Sequence, residues 1–493
     1  MRCRTGEFCA ISSVCFALGA FVGCAGEAEK SKTDVTSQTS NKSAEVPTKA
    51  DVPKEAAEKV GDEAVEPKDD LPPNSFERGL EFAKAIDNPP EAVAEEAAIV
   101  NALREAGFRV DLDADGFVVG IDGYYAVVET ELLRKAADLK RLRTVVLNLE
   151  GPTVGDLKLD GLSANDIAML KPFVSLETLV LSGKELPPGA IEHIAQLEKL
   201  KELSLDQTQI SDEDLAGLAG SQGIEELRLY SERITDDGLK YLEAFQKLSS
   251  ITLSTPGVTG TGLAHLVGLP ALRILDLSST VIDGSQLVHL AKVAQLEELT
   301  PPQLLNDEGL GHVCRLPKLM HLDLSYEYKL TNEGAAALAG LDNLSVLLLN
   351  ETDLTDAAMQ HVGQIKTLTH LEVPKTIGDE GVAALAGLTE LRELNLGYTT
   401  LTDKSMPHLL TMPKLETVYL TDTQITAKGL AGIHELKHLH TLGIVNTSIG
   451  DDAVPHIVKI TQLKVLPATG TKLTHDGIRK IHAALPECDI RYD

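Results

Sequence analysis

Between residues 142 and 477 apolar positions recur in one frame, L-x-x-L-x-L-x-x-T-x-I-[ST]-D-x-G-L-x-x-L. Leu200-Lys-Glu-Leu-Ser-Leu-Asp-Gln-Thr-Gln-Ile-Ser-Asp-Glu-Asp-Leu-Ala-Gly-Leu218 shows it, and the stretch from Leu415 to Ile433 repeats it. The first apolar position falls at Leu176, Leu200, Ile224, Leu248, Leu272, Leu296, Leu319, Leu344, Leu368, Leu391, Leu415, Leu439 and Leu463. The spacing is 24, slipping to 23 or 25 where loops adjust. Leu142-Arg-Thr-Val-Val-Leu147 opens one more unit, with an insertion near residues 150–160, so about 13–14 repeats are expected. The alternation in L-x-x-L-x-L predicts a short strand, and G-L-x-x-L predicts a short helix. No single unit can bury Leu200, Leu203, Leu205, Ile210, Leu215 and Leu218 by itself. Stacking neighbours on both sides completes a continuous core.

The frame resembles that of the leucine-rich repeats, over roughly residues 108–493. It is most similar to the ribonuclease-inhibitor-like and cysteine-containing classes, with Thr where the latter has Cys. Secreted bacterial proteins carry repeats of this Thr type. The resemblance implies an α/β fold: a right-handed horseshoe solenoid with a parallel sheet on the concave side and short helices on the convex side.

Thr208, Thr280, Thr352, Thr376, Thr399, Thr423, Thr447 and Thr471 share one repeat position just after the strand. A hydroxyl there can bond backbone groups of the turn or the neighbouring coil; a binding stripe is the alternative. Ser211, Thr235, Asp236, Thr355, Asp356, Thr402 and Asp403 fall where a helix N-cap is needed.

The flanks of the array are read by the same periodicities. Two short helices are expected within residues 74–106: one with Phe76, Leu80 and Ala83 on a face, one with Val93, Ala97, Val100 and Leu103, capped by Gly107. Residues 107–141 read as an N-terminal cap of hairpin and helix. Phe108, Val110 and Leu112 alternate on one side of Asp113-Ala-Asp-Gly116, and Phe117, Val119 and Ile121 on the other. The same stretch spells the start of a calcium loop, with Asp111, Asp113, Asp115 and Gly116 in place and Asp122 twelfth. Strands on both flanks, and an Asp where that loop prefers Glu, favour the hairpin. Asp111, Asp113 and Asp115 are the residues that would hold a metal ion there. Residues 478–493 read as a C-terminal cap.

Composition alters the picture at the N-terminus. Arg2 and Arg4 precede an apolar run from Phe8 to Gly23, which suits a signal peptide over residues 1–23. Phe21-Val22-Gly23-Cys24 resembles a bacterial lipobox, although Phe21 replaces the usual Leu and Glu7 is unusual in a basic region. That resemblance implies a lipidated Cys24; plain secretion and an uncleaved anchor are the alternatives. Residues 24–73 form an expected disordered acidic tether, since they lack the apolar residues needed to offset ordering. Flexible-chain scaling gives it an end-to-end distance of about 40 Å. Cys314 and Cys488 are then the remaining thiols, too many repeats apart to pair. The formal charge of −29 repels phosphate backbones and argues against a nucleic-acid partner.

Few residues suggest catalysis. His434-Glu-Leu-Lys-His438 spells a zinc-protease motif, but the repeat register puts His438 in a loop. His193, His265, His289, His312, His361, His408 and His456 each precede a repeat's first strand residue by seven. They suit helix C-termini; a ridge responsive to pH or metal is the alternative. The Gly-rich stretch from Thr255 to Gly262 lies in a strand-to-helix turn and reads as turn chemistry.

Residues between the strand leucines should line the concave face. Glu202, Asp206, Glu226, Arg228, Tyr230, Asp276, Glu298, His321, Asp323, His370, Glu372 and Tyr419 are the candidate binding residues, and Val346, Leu348, Val445 and Val465 make the face more apolar toward the C-terminus. An acidic surface with aromatics suits a protein or peptide partner, and glycans as well. The expected function is therefore non-enzymatic binding at a bacterial envelope, with no cofactor. A self-associating scaffold and an adaptor for a separate enzyme are the alternatives.

Overall fold

The computed structural model describes residues 91–126, 130–149, 170–183 and 185–492, with residues 153–154, 157–158 and 167 between them. The expected signal peptide, Cys24, the tether and the helix around Leu80 lie outside the described residues. The described residues all belong to the second of two compact units, Asp69–Asp493.

Seventeen strands make one sheet. It starts with a hairpin, β1 (Arg109–Leu112) antiparallel to β2 (Val118–Gly123). Every later neighbour is parallel: β3 (Thr144–Asn148), then, past a small two-stranded excursion of β4 (Thr153–Val154) and β5 (Leu157–Lys158), β6 (Thr178–Ser182). One strand per repeat follows, through β7 (Glu202–Asp206), β8 (Glu226–Tyr230) and onward to β18 (Val465–Pro467) and β19 (Asp489–Arg491). The fold is thus an open leucine-rich-repeat solenoid, with the sheet on one side and short helices on the other.

The frame leucines explain this stacking. Leu200, Leu203, Leu205, Ile210, Leu215 and Leu218 are all buried, and a single apolar cluster runs from Val100 to Ile490. Several connecting helices are α, such as Asp212–Leu218 and Asp307–Val313. Others are 3-10, such as Gly238–Ala244, Thr261–Gly268 and Gly334–Gly340. Segments this short cannot nucleate an α-helix alone, so packing on the core decides their pitch.

The threonine row acts mainly within its own coil. The hydroxyls of Thr280, Thr399, Thr423 and Thr447 each donate to the carbonyl three residues earlier at 2.7 Å. Thr376 instead donates to Leu354 of the preceding coil. Thr208 is buried with its hydroxyl unpartnered.

Of the expected N-caps, Ser211 closes a capping box with Asp214. The aspartates have a different job. Asp212 accepts the backbone N–H and the hydroxyl of Thr235, one coil on, at 2.9 and 2.7 Å. Asp403 holds Thr426 in the same way at 2.7 and 2.6 Å. Asp236 accepts from Thr259, Gly260, Thr261 and Gly262, and Asp356 from Gly378. These carboxylates cap the next coil rather than their own, because parallel stacking brings its unpaired N–H groups within reach. The arrangement also accounts for the frame's glycine: a Cβ on Gly238 would stand 2.1 Å from Asp212 Oδ1.

The N-terminal end is closed by α1 (Ala97–Glu105) and the hairpin. Val100 and Leu103 are buried, and Gly107, at φ +91°, lets the Phe108 N–H return to the Leu103 carbonyl. Buried Glu96 accepts the Val118 N–H at 2.8 Å, tying this helix to β2. At the other end, the helix His475–Ala484 and β19 cover the last coil. Among the described residues Cys314 and Cys488 are not joined in a disulfide, and burial pushes the Cys314 thiol up to about 12. Among the described residues no helix is long and apolar enough to cross a membrane.

Candidate functional site

The ladder register decides which side chains stand together. Along β10 (Ile274–Asp276) to β15 (Glu393–Asn395), one row reads Ile274, Glu298, His321, Val346, His370, Glu393. A second row on the same face reads Asp323, Leu348, Glu372, Asn395, Tyr419. In the longer strands a third row adds Ser182, Asp206, Tyr230 and Ser254. Glu202 is beside Glu226, Ser204 beside Arg228, and Asp276 beside Thr300. All the candidate binding residues therefore occupy the open face of the sheet, each half-buried or exposed.

This face is short of cations. Burial and then the neighbouring Glu202 raise Glu226, while burial alone raises Asp206. Burial also raises Glu372, with Glu393 and Asp323 adding to it. Tyr419 is raised by burial and by Glu393. His321 stands 3.9 Å from Glu298 and His370 3.7 Å from Glu393, one pair on each side of Val346. Arg228 lies 3.9 Å from Glu226.

Beyond the strands, the chain leaves through a left-handed residue at one recurring position. Gln207, Tyr326, Glu351, Tyr398, Asp422 and Asn446 hold φ between 55° and 66° there, and Gly183 and Gly470 take the same position. Gly183, Gln207, Tyr326, Tyr398, Asp422 and Asn446 keep the ladder going: the Tyr326 N–H donates to the Asn350 carbonyl at 3.0 Å, and that of Tyr398 to Thr421 at 2.7 Å. The sign of φ turns these side chains out onto the rim of the sheet.

Between Tyr326 and Tyr398 the rim opens into a shallow recess, lined also by Asn350, Glu351, Glu372, Val373, Lys375, Asn395 and Gly397. Lys375 is paired to Glu351 at 2.6 Å. Of these, the strand pattern places both Glu372 and Asn395 on the concave face, and Glu372 is the one among the candidate binding residues. Tyr326, Tyr398 and Asn350 lie outside the alternating segment and escape it. The available signal was a large aromatic one place before the frame's threonine position, where glycine or a polar residue satisfies the backbone elsewhere.

The aspartate-rich turn is occupied by protein. Asp113 Oδ1 accepts the N–H groups of Asp115 and Phe117, both at 3.0 Å. Arg141 donates to Asp113 and to Asp115 at 2.8 Å, with its guanidinium 4.0 Å from the Phe117 ring centre. The bond from Arg141 holds Asp113 below the usual carboxylate range. Asp111 lies on β1, 3.8 Å from Arg109. A cation at this turn would have to displace Arg141.

His434 and His438 do not share a helix, since the local 3-10 helix is Ile433–Glu435. The seven convex histidines all fall in the last turn of their helices. His265 adds a contact to Glu243 at 2.7 Å.

No protein-family model matches the chain, and no curated protein does. Solved structures with leucine-rich repeats do. An internalin from Listeria monocytogenes is 19% identical, over 77% of this chain and 96% of its own, with a TM-score of 0.45. A leucine-rich repeat protein from Leptospira interrogans is 18% identical, over 79% and 97%, at 0.42. A plant peptide hormone receptor, solved with its peptide, is 15% identical, over 73% and 68%, at 0.36. The chain is similar to these as a leucine-rich-repeat solenoid.

Proposed function

We propose that this chain is a non-enzymatic binding protein of a bacterial cell envelope, which recognises a protein or peptide partner across the open face of its sheet. The supporting observation is the unbroken register. It sets the half-exposed side chains of successive coils in rows, so affinity can be assembled from many contacts along an extended segment. Carboxylates outnumber cations along these rows, which suits a basic or polar partner and steers its approach. Export and attachment through a lipidated Cys24 would place the solenoid outside the cytoplasm, held off the membrane by residues 24–73.

A capture experiment from envelope extract tests the reading. The wild-type chain should retain a partner that Tyr230→Ala combined with Glu298→Ala releases. Retention of the same partner by that variant would sink the reading, and recovery of a second copy of this chain alone would replace it with a scaffold. Cys24→Ser should move the protein from the membrane fraction to the soluble one if the lipid anchor is real.

A further inference from the structure

We propose that the recess between Tyr326 and Tyr398 is a subsite for a cationic side chain, lysine or arginine, of a peptide partner. This rests on the reading above that the open face binds a polypeptide, and names the chemistry of one contact on it.

The argument starts from the carboxylate. Glu372 lines the recess from β14 (His370–Glu372), and the Asn395 side chain bonds it. Burial raises it, and Glu393 and then Asp323 add to this as like charges. Lys375, the cation among the lining residues, is taken by Glu351 at 2.6 Å. The local potential is therefore negative, with no lining cation left to balance Glu372. An incoming ammonium or guanidinium would supply what the recess lacks.

The tyrosines supply the second half. Tyr326 is 55% exposed and Tyr398 68% exposed, which is unusual for large aromatics. Both hold left-handed backbones, at φ 66° and 61°, in a position that Gly183 and Gly470 fill in two coils and that Gln207, Glu351, Asp422 and Asn446 fill in others, and they are the aromatic residues among these. L-residues pay strain in that conformation, and here it turns the two rings toward solvent at the rim. Aromatic faces flanking a carboxylate attract cations through the ring quadrupole. Tyrosine rings and Asn350 could also stack and bond a sugar, whose hydroxyls can donate to Glu372, but a neutral sugar leaves the negative charge unneutralised. That charge favours the cation.

The probes are fluorophore-labelled hexalysine and hexaarginine, read by anisotropy against the full chain, with fully acetylated hexalysine and chitohexaose as competitors. Glu372→Gln, Tyr326→Ala and Tyr398→Ala should each weaken hexalysine or hexaarginine about tenfold, the scale of a desolvated cation–π or charged contact. Glu308→Gln combined with Glu380→Gln, on exposed helix positions across the solenoid, should leave affinity unchanged. Tyr398→Gly separates binding from folding: it should lose affinity while raising Tm. Equal losses from all the acidic substitutions would mean general charge attraction and overturn the proposal. Competition by chitohexaose, but not by unlabelled hexalysine, would overturn it in favour of a glycan site. If the Tyr230 and Glu298 double variant releases the envelope partner while Glu372→Gln binds hexalysine normally, this subsite fails and the broader reading stands. If that double variant releases nothing, the broader reading fails with whatever rests on it.

Discussion

Asp451 reaches one coil forward and accepts both the N–H and the hydroxyl of Thr474, at 2.8 and 2.6 Å. The same staple joins Asp379 to Thr402 and Asp307 to Thr331. Charge-assisted hydrogen bonds of this kind contribute about 1.5–3 kcal/mol. Asp451→Ala should therefore destabilise the C-terminal cap by about 2 kcal/mol. Hydrogen exchange should show the helix His475–Ala484 opening before the central coils. Uniform protection along the chain would argue that the staple is incidental.

Two threonines at one repeat position should answer differently to the same change. Thr447 is buried and bonded to the Ile444 carbonyl at 2.7 Å, whereas buried Thr208 has an unpartnered hydroxyl. Thr447→Val forfeits a hydrogen bond, so urea denaturation should register a loss of about 1 kcal/mol. Thr208→Val removes a desolvated hydroxyl that gains nothing, so its midpoint should hold or rise.

Tyr398→Gly should raise stability by roughly 0.5–1 kcal/mol. An L-residue in the left-handed region costs about 1–2 kcal/mol, partly offset by the greater unfolded-state entropy of glycine. Thermal unfolding of the variant would show it as a higher Tm, and a lower Tm would mean that the tyrosine packs productively.

Glu327 offers a pH test. It is 4% exposed, accepts the Leu305 N–H at 2.6 Å and is pushed up to about 7, chiefly by burial and against the pull of backbone bonds, with Asp323 and Lys329 as its charged neighbours. A carboxyl raised in the folded state binds its proton more tightly there than in the unfolded chain. Its stabilisation is complete below the ordinary glutamate value of 4.5 and is lost as pH rises through about 7. The loss amounts to roughly 3 kcal/mol at most. Glu327→Gln should flatten that slope between pH 5 and 8 and be the more stable protein at pH 8.

Arg141→Ala removes the group that neutralises Asp113 and Asp115 and covers Phe117. The variant should have a lower Tm. The wild type should show no change in Tm on addition of millimolar calcium, since Arg141 already holds the carboxylates; a rise would restore the metal reading.

The repeat frame alone determined the class of fold. Leucines at fixed spacing have one way to be buried together, which is to stack, and the strand and helix segments follow from their periods of 2 and near 3.6. The alternating strand pattern likewise located the open-face residues, because every second side chain of a strand faces the same way. Three things needed the tertiary structure. The forward reach of Asp212 and Asp451 depends on the next coil's N–H groups, which no local pattern shows. The pairing of Asp113 and Asp115 with Arg141 joins residues far apart in sequence, so the aspartate spacing resembled a metal loop. The recess between Tyr326 and Tyr398 comes from coils three repeats apart, brought to one rim by parallel stacking and turned outward by a positive φ. Periodicity records what each residue repeats. Only packing decides which residues of different repeats meet, because that depends on the coil-to-coil register and on backbone angles that the hydrophobic pattern does not encode.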